Sequence, residues 1–146
     1  MTETSLQESL GVTIESGKYG RLVVARIRPN QDLISALESV CSENAIGRAV
    51  IRGVVGSLVE ANLVYGVAPN EQYISIPGPG VEILDVAGEV RGDGSGLYES
   101  RLSGTVAATD GKLFAGRFCR SRNLSFVTIE ATIQEWLVET TVSETL

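Results

Sequence analysis

Apolar residues recur along this chain with two periods, and the switch between them marks the elements. Residues 1–19 are polar, punctuated by glycine and weakly patterned, the character of a loose arm whose inner part could pair with another strand. Arg21 to Arg28 is short and rich in β-branched residues, so it predicts a strand that stops at Pro29-Asn30. Asn30, or the neighbouring Gln31-Asp32, then offers a helix cap. From there Leu33, Ile34, Leu37, Val40 and Cys41 repeat at three- and four-residue spacing, the stripe of a helix laid on a sheet and ended by Asn44 to Gly47.

Beyond Gly47 the period falls to two. Strands are predicted over Arg48 to Val55, over Leu58 to Tyr65 after a Gly56-Ser57 turn, and over Val81 to Val90. Leu97 to Ala108 and Lys112 to Phe118 flank Thr109-Asp110-Gly111, and Asp-Gly is a strong hairpin signal. Leu124 to Leu137 closes the series. Residues 66–80, with Pro69 and the Pro77-Gly78-Pro79-Gly80 run, read as a surface loop, because proline removes backbone donors and fixes turns. One main helix among many strands predicts an α+β fold: a mostly antiparallel sheet, strongly bent or barrel-like, packed with that helix. With 146 residues there is room for one domain, assigned to 20–137 between the polar arm (1–19) and an acidic tail (138–146).

Charge changes this picture in one respect. The net charge is −6, but Glu3, Glu8, Glu15, Glu130, Glu135, Glu139 and Glu144 lie in terminal stretches that hold no base, so the body between them is close to neutral. Acidity disfavours a general nucleic-acid binder, which needs a basic surface against the phosphates. It leaves room for a local arginine surface. Ten of the twelve bases are arginine, suited to fixed, bidentate contacts.

Histidine is absent, so no Ser-His-Asp or Cys-His group can form and His-rich metal sites are excluded. Cys41 and Cys119 are isolated, which indicates neither a zinc clip nor a disulfide framework. Cys41 falls on the apolar helix stripe; Cys119, beside Arg120, is the better candidate for a lowered pKa, with an inert thiol as the alternative because no histidine base stands beside it. With no signal-peptide pattern and no apolar run near the roughly 20 residues of a membrane span, a cytoplasmic protein without membrane contact is expected. Gly92 to Gly96 is glycine-rich, but no helix follows it, so it reads as a hairpin connection and not a phosphate loop. Asn123-Leu124-Ser125 matches a glycosylation acceptor only formally.

Several segments in order carry a resemblance: the Pro29-Asn30-Gln31-Asp32 approach to the helix, Arg52 to Leu63 with its glycine-serine pair, Gly80 to Gly88 with Glu82-Ile83-Leu84, and Thr109 to Gly116. Together they resemble the PPC domain, the domain shared by plants and prokaryotes, over roughly residues 20–137. The resemblance implies a compact α+β homotrimer. Plant members accompany AT-hook proteins and bacterial members carry DNA-binding names, although this chain has no Arg-Gly-Arg-Pro core. The architecture is also similar to acetolactate decarboxylase, a metal-dependent enzyme.

Prokaryotic members carry a His-x-His pair before the aspartate-glycine turn and a third histidine after the small-residue pair. Counted from Asp110-Gly111, those positions fall on Arg101, Ser103 and Arg117. Guanidinium groups cannot ligate a cation, so a metal-free protein without a cofactor is expected. Arg117, Arg120 and Arg122, with Lys112, lie in a stretch from Gly111 to Ile129 that contains no acid. Two readings of this stretch stand open: ion pairs with carboxylates elsewhere in the fold or in a neighbouring subunit, or an anion site built from Arg101, Ser103, Arg117 and Arg120. Glu82, alternating with Leu84 and Val86, falls on an apolar face of a regular strand, where it would need a cationic partner; the alternative is a strand end in solvent. No catalytic residue is assigned. The functional expectation is a non-catalytic, homotrimeric binding or regulatory module, contacting DNA or another protein; the alternative is a small-anion binder, or a degenerate enzyme, with arginines in place of a metal site.

Overall fold

The computed structural model describes residues 11–142. Eight strands and one helix follow the chain as β1 (Ile14–Ile27), α1 (Leu33–Glu43), β2 (Arg48–Leu58), β3 (Ala61–Tyr65), β4 (Gln72–Ile76), β5 (Val81–Gly92), β6 (Tyr98–Ala107), β7 (Leu113–Phe118) and β8 (Ser125–Val142). All strands join one antiparallel sheet in the order β1-β8-β2-β5-β6-β7-β3-β4.

That order dictates the shape. β2 and β3 are joined only by Val59 and Glu60, yet lie four places apart in the sheet. Four strand spacings across a flat sheet amount to ~19 Å, whereas three residue steps reach at most ~11 Å. The sheet must therefore curl until its two halves approach. It does not close into a barrel: β1 and β4 remain as its edges. The bent, mostly antiparallel α+β fold is as the pattern predicts, and closure is not part of it.

Helix α1 occupies the inside of the curl. Asp32 caps it, its carboxylate accepting from the backbone N–H of Ser35 at 3.0 Å, which satisfies one of the orphan donors of the first turn. Leu33, Ile34, Leu37 and Cys41 face inward and are buried against the inner face of the sheet, which contributes Ile51, Val54, Val90, Leu102, Val106 and Ile133.

Two predicted boundaries move. Gly56-Ser57 is not a turn; β2 runs through it to Leu58. Gly56 sits at φ +142° beside a register shift, and a Cβ there would lie 2.3 Å from the Thr128 carbonyl oxygen. Glycine at this position lets β8 approach; it does not reverse the chain. The stretch 66–80 is not wholly loop, since β4 forms within it as an edge strand, and its three prolines at 69, 77 and 79 flank the strand. The inner part of the arm pairs as expected, Ile14 to Tyr19 with Trp136 to Val142, which carries β1 back to Ile14 and β8 on to Val142, past the predicted end at Leu137. The outer parts of the arm (1–10) and tail (143–146) lie outside the described residues.

Leu37 is fully buried. Leu37→Ala is expected to lower unfolding stability by about 2–5 kcal/mol, from lost burial plus a residual cavity. Ser39→Ala on the exposed side of the same helix should stay within about 0.5 kcal/mol, both read by urea denaturation.

Candidate functional site

On an antiparallel sheet, register partners stand side by side on one face. Ser103 on β6 is paired with Arg117 on β7, and Arg101, two residues earlier on β6, shares their face. The three positions therefore lie together on the convex outer face, and all three residues are exposed. The Arg117 guanidinium turns toward the β3–β4 connection and donates to the Gly66 carbonyl oxygen at 2.6 Å. Arg101 stands opposite Glu89, and with Glu89, Arg91 and Glu99 it lines a shallow hollow of about 130 Å³ in which bases and acids balance.

Arg120 goes elsewhere. It lies in the β7–β8 connection and grips Glu38 of α1 in a two-pronged pair, at 2.8 and 2.6 Å. Ser100 donates to the same carboxylate at 2.6 Å. Burial pushes the Glu38 carboxyl up, but the bonds from Arg120 and Ser100 outweigh it and hold the group below the ordinary carboxylate range. For Arg120 the ion-pair reading is thus the one realised, and the partner sits 82 residues away in the chain.

Glu82 is exposed, not enclosed by an apolar interior. The expectation assumed a regular strand, but a register shift between Ile83 and Asp85 turns β5 by one residue. Val81, Ile83 and then Val86 point inward, leaving Glu82 and Leu84 outside. Among the described residues no ion pair holds Glu82.

Neither thiol is activated by its setting. Burial pushes Cys41 up to about 11, with help from nearby Glu38 and Glu135. Cys119 is half-buried, and burial raises its pKa despite Arg122 and Arg117. Of the two readings of Cys119, activated by neighbouring charge or inert, the inert one fits, because desolvation of the thiolate outweighs the neighbouring charge.

The organising polar residue of this region is Asn123, fully buried. Its side-chain oxygen accepts from Asn62 N–H at 2.8 Å, and its amide nitrogen donates to the carbonyl oxygens of Asn62 (3.1 Å) and Cys119 (2.9 Å). Its own N–H donates to the Asp32 cap at 3.1 Å, and its carbonyl oxygen accepts from Leu33 N–H at 3.0 Å. The Asn62 side chain completes the network, donating to the Arg122 carbonyl oxygen at 2.6 Å and accepting from the Ser75 hydroxyl at 2.6 Å. A side chain so enclosed is no glycosylation acceptor. Asn62 is visible in the sequence as a polar residue inside the apolar run Ala61 to Val64; Asn123, set between arginines and a short apolar stretch, carries no such signal.

Residues 14–137 match the Plants and Prokaryotes Conserved (PCC) domain, nearly the whole of the described fold. The chain belongs to this family. Among solved structures, a plant- and prokaryote-conserved (PPC) protein of Pyrococcus horikoshii superposes with a TM-score of 0.70 at 20% identity, covering 86% of this chain and 85% of its own. A metal-containing protein of Archaeoglobus fulgidus gives 0.69 at 17% identity, with 87% of each chain covered. A Bacteroides thetaiotaomicron protein, described as a "putative dna binding protein", gives 0.65 at 18% identity, with 82% of this chain and 83% of its own covered. No protein of curated function matches significantly.

In this PPC chain the residues do not fit the metal that the family resemblance implies. Two of the three ligand positions carry guanidinium groups, which are donors only, and Arg117 is committed to a carbonyl oxygen. Among the described residues no group of three or more His, Cys, Asp or Glu side chains is arranged to hold a metal ion.

The Glu38 pKa provides a direct check on the Arg120 clamp. Arg120→Gln should raise it, because burial is then opposed only by Ser100, and side-chain carboxyl NMR titration reads the shift. The sign follows from linkage: a depressed carboxylate stabilises the fold above its unfolded value of about 4.3, and that stability is lost as pH falls through the folded value. The wild type should lose more stability than Arg120→Gln over this acid range.

Proposed function

We propose that this PPC protein is a non-catalytic homotrimer that acts by binding, with the convex sheet face as its assembly surface. The observation that carries this reading is the apolar content of that face. Leu22 and Val24 on β1, Val55 on β2, Leu84 on β5 and Leu113 on β7 are all exposed, Val24 to 68%. Val55 and Leu84 flank the Gly56–Ile83 pair on one side, at the middle of the sheet. A face of this kind on a soluble chain marks a surface that is covered by a partner. Polar residues interleave with it, so burial can be matched by cross-subunit pairing as in other subunit interfaces.

Support for the absence of catalysis comes from the titratable groups. Both thiols are held protonated, and Glu38 and Glu135, the least exposed carboxylates in ion pairs, are fully engaged by Arg120 and Arg21. DNA is the partner that the Bacteroides protein's description suggests. Seven of the twelve bases are in ion pairs within the chain; Arg28, Arg52, Arg101, Arg117 and Arg122 have no carboxylate partner among the described residues. These five are the groups that would contact phosphates, and so few contacts make for weak binding that is easily lost to salt.

Light scattering should return about three times the 15.5 kDa chain mass. The double substitution Val55→Asp, Leu84→Asp should give a folded monomer. A wild-type monomer at micromolar concentration would overturn the assembly reading. Mobility of an AT-rich duplex should shift at about 20 mM salt and be largely restored by about 200 mM. No shift at the lower salt would remove DNA from the reading and leave the trimer standing.

A further inference from the structure

The β7–β8 connection borders, beside β3 and β4, an open cavity of about 590 Å³, lined by Val64, Tyr73, Phe118, Cys119, Arg120 and Arg122. That volume is in the range of pockets that take small organic ligands. Its two arginines differ in what they have left to offer. Arg120 is neutralised by Glu38, whereas the Arg122 guanidinium has no carboxylate partner among the described residues. Its backbone is fixed all the same, because the Arg122 carbonyl oxygen accepts from Asn62 and the next residue is the buried Asn123. The charge therefore stands on a rigid base, which lowers the entropic cost of using it.

The remaining surfaces are of another kind. Val64 and Phe118 are buried apolar residues, and Tyr73, 72% exposed, presents a ring at the open side. Val64 is the register partner of both Tyr73 on β4 and Arg117 on β7, so a second cation lies beside the cavity. No carboxylate lines it, and the Cys119 thiol stays neutral. One unpaired guanidinium next to apolar and aromatic walls discriminates for a molecule that carries a negative head and a flat apolar body.

We propose that this cavity binds a small organic carboxylate with an aromatic body, the carboxylate on Arg122 and the ring among Val64, Tyr73 and Phe118. The site adjoins the Arg101, Ser103 and Arg117 row through Val64 but does not use it, and it stands whether or not the protein binds DNA.

Benzoate is a suitable probe, with benzamide as its uncharged counterpart and inorganic phosphate as an anion lacking the ring. In NMR titrations of the full chain, benzoate should shift Tyr73, Cys119 and Arg122 resonances saturably, and both benzamide and phosphate should bind at least tenfold more weakly. Arg122→Gln should weaken benzoate about tenfold, and Tyr73→Ala several-fold, while Arg28→Gln leaves it unchanged; circular dichroism reports whether each variant is folded. Benzamide binding as tightly as benzoate, phosphate matching benzoate, or a folded Arg122→Gln with unchanged affinity would each overturn the proposal. So would shifts that fail to saturate.

Discussion

A buried asparagine holds the curled sheet together. Asn123 makes hydrogen bonds to the cap of α1, to both backbone groups of Asn62 on β3, and to the end of β7. These contacts join segments as far as 91 residues apart in the chain. An amide serves here because it offers donor and acceptor on one short side chain, and a buried polar group is tolerated only when those capacities are met. The helix cap, β3 and the start of the loop bearing Arg120 and Arg122 are all anchored on that residue. An apolar replacement would take the side-chain partner from the Asn62 N–H and from the Cys119 carbonyl oxygen at once.

Charge is arranged around the same curl. Arg120 ties the β7–β8 connection to α1 through Glu38, and Arg21 ties β1 to β8 through Glu135, so the arginine-rich composition is largely spent on joining distant segments. The convex face is left with a mixture of apolar side chains and few free cations. A surface of that composition is suited to other protein before nucleic acid.

The elements were largely legible from periodicity, because the helix stripe from Leu33 to Cys41 and the alternation in β8 are set by local geometry. The Asp110-Gly111 hairpin was likewise local. Glu82 was misplaced for the opposite reason. Its orientation depends on a register shift between Ile83 and Asp85 that only the pairing of β5 with β6 reveals. Gly56 looked like a turn because glycine marks both reversals and close approaches, and the Thr128 backbone that crowds it is remote in sequence. The family resemblance, counted from Asp110-Gly111, pointed to Arg101, Ser103 and Arg117, and the register of the β6–β7 hairpin sets them on one face. Arg120 could not be assigned in that way, because its partner comes from the helix. The cavity at Arg122 was hidden too: its walls come from three strands and a loop that only the curl unites.

Strand β8 is the last of the eight in chain order, yet it lies between β1 and β2. During synthesis, β1 and β2 therefore leave the ribosome without the strand that joins them. The hydrophobic sides of Val23, Ala25, Ile51 and Val54 must wait for Ile129, Ala131 and Ile133. Their contacts are distant in sequence, which favours slow, all-or-none folding after most of the chain has emerged. Until β8 is made, β1 and β2 share no neighbour in the sheet.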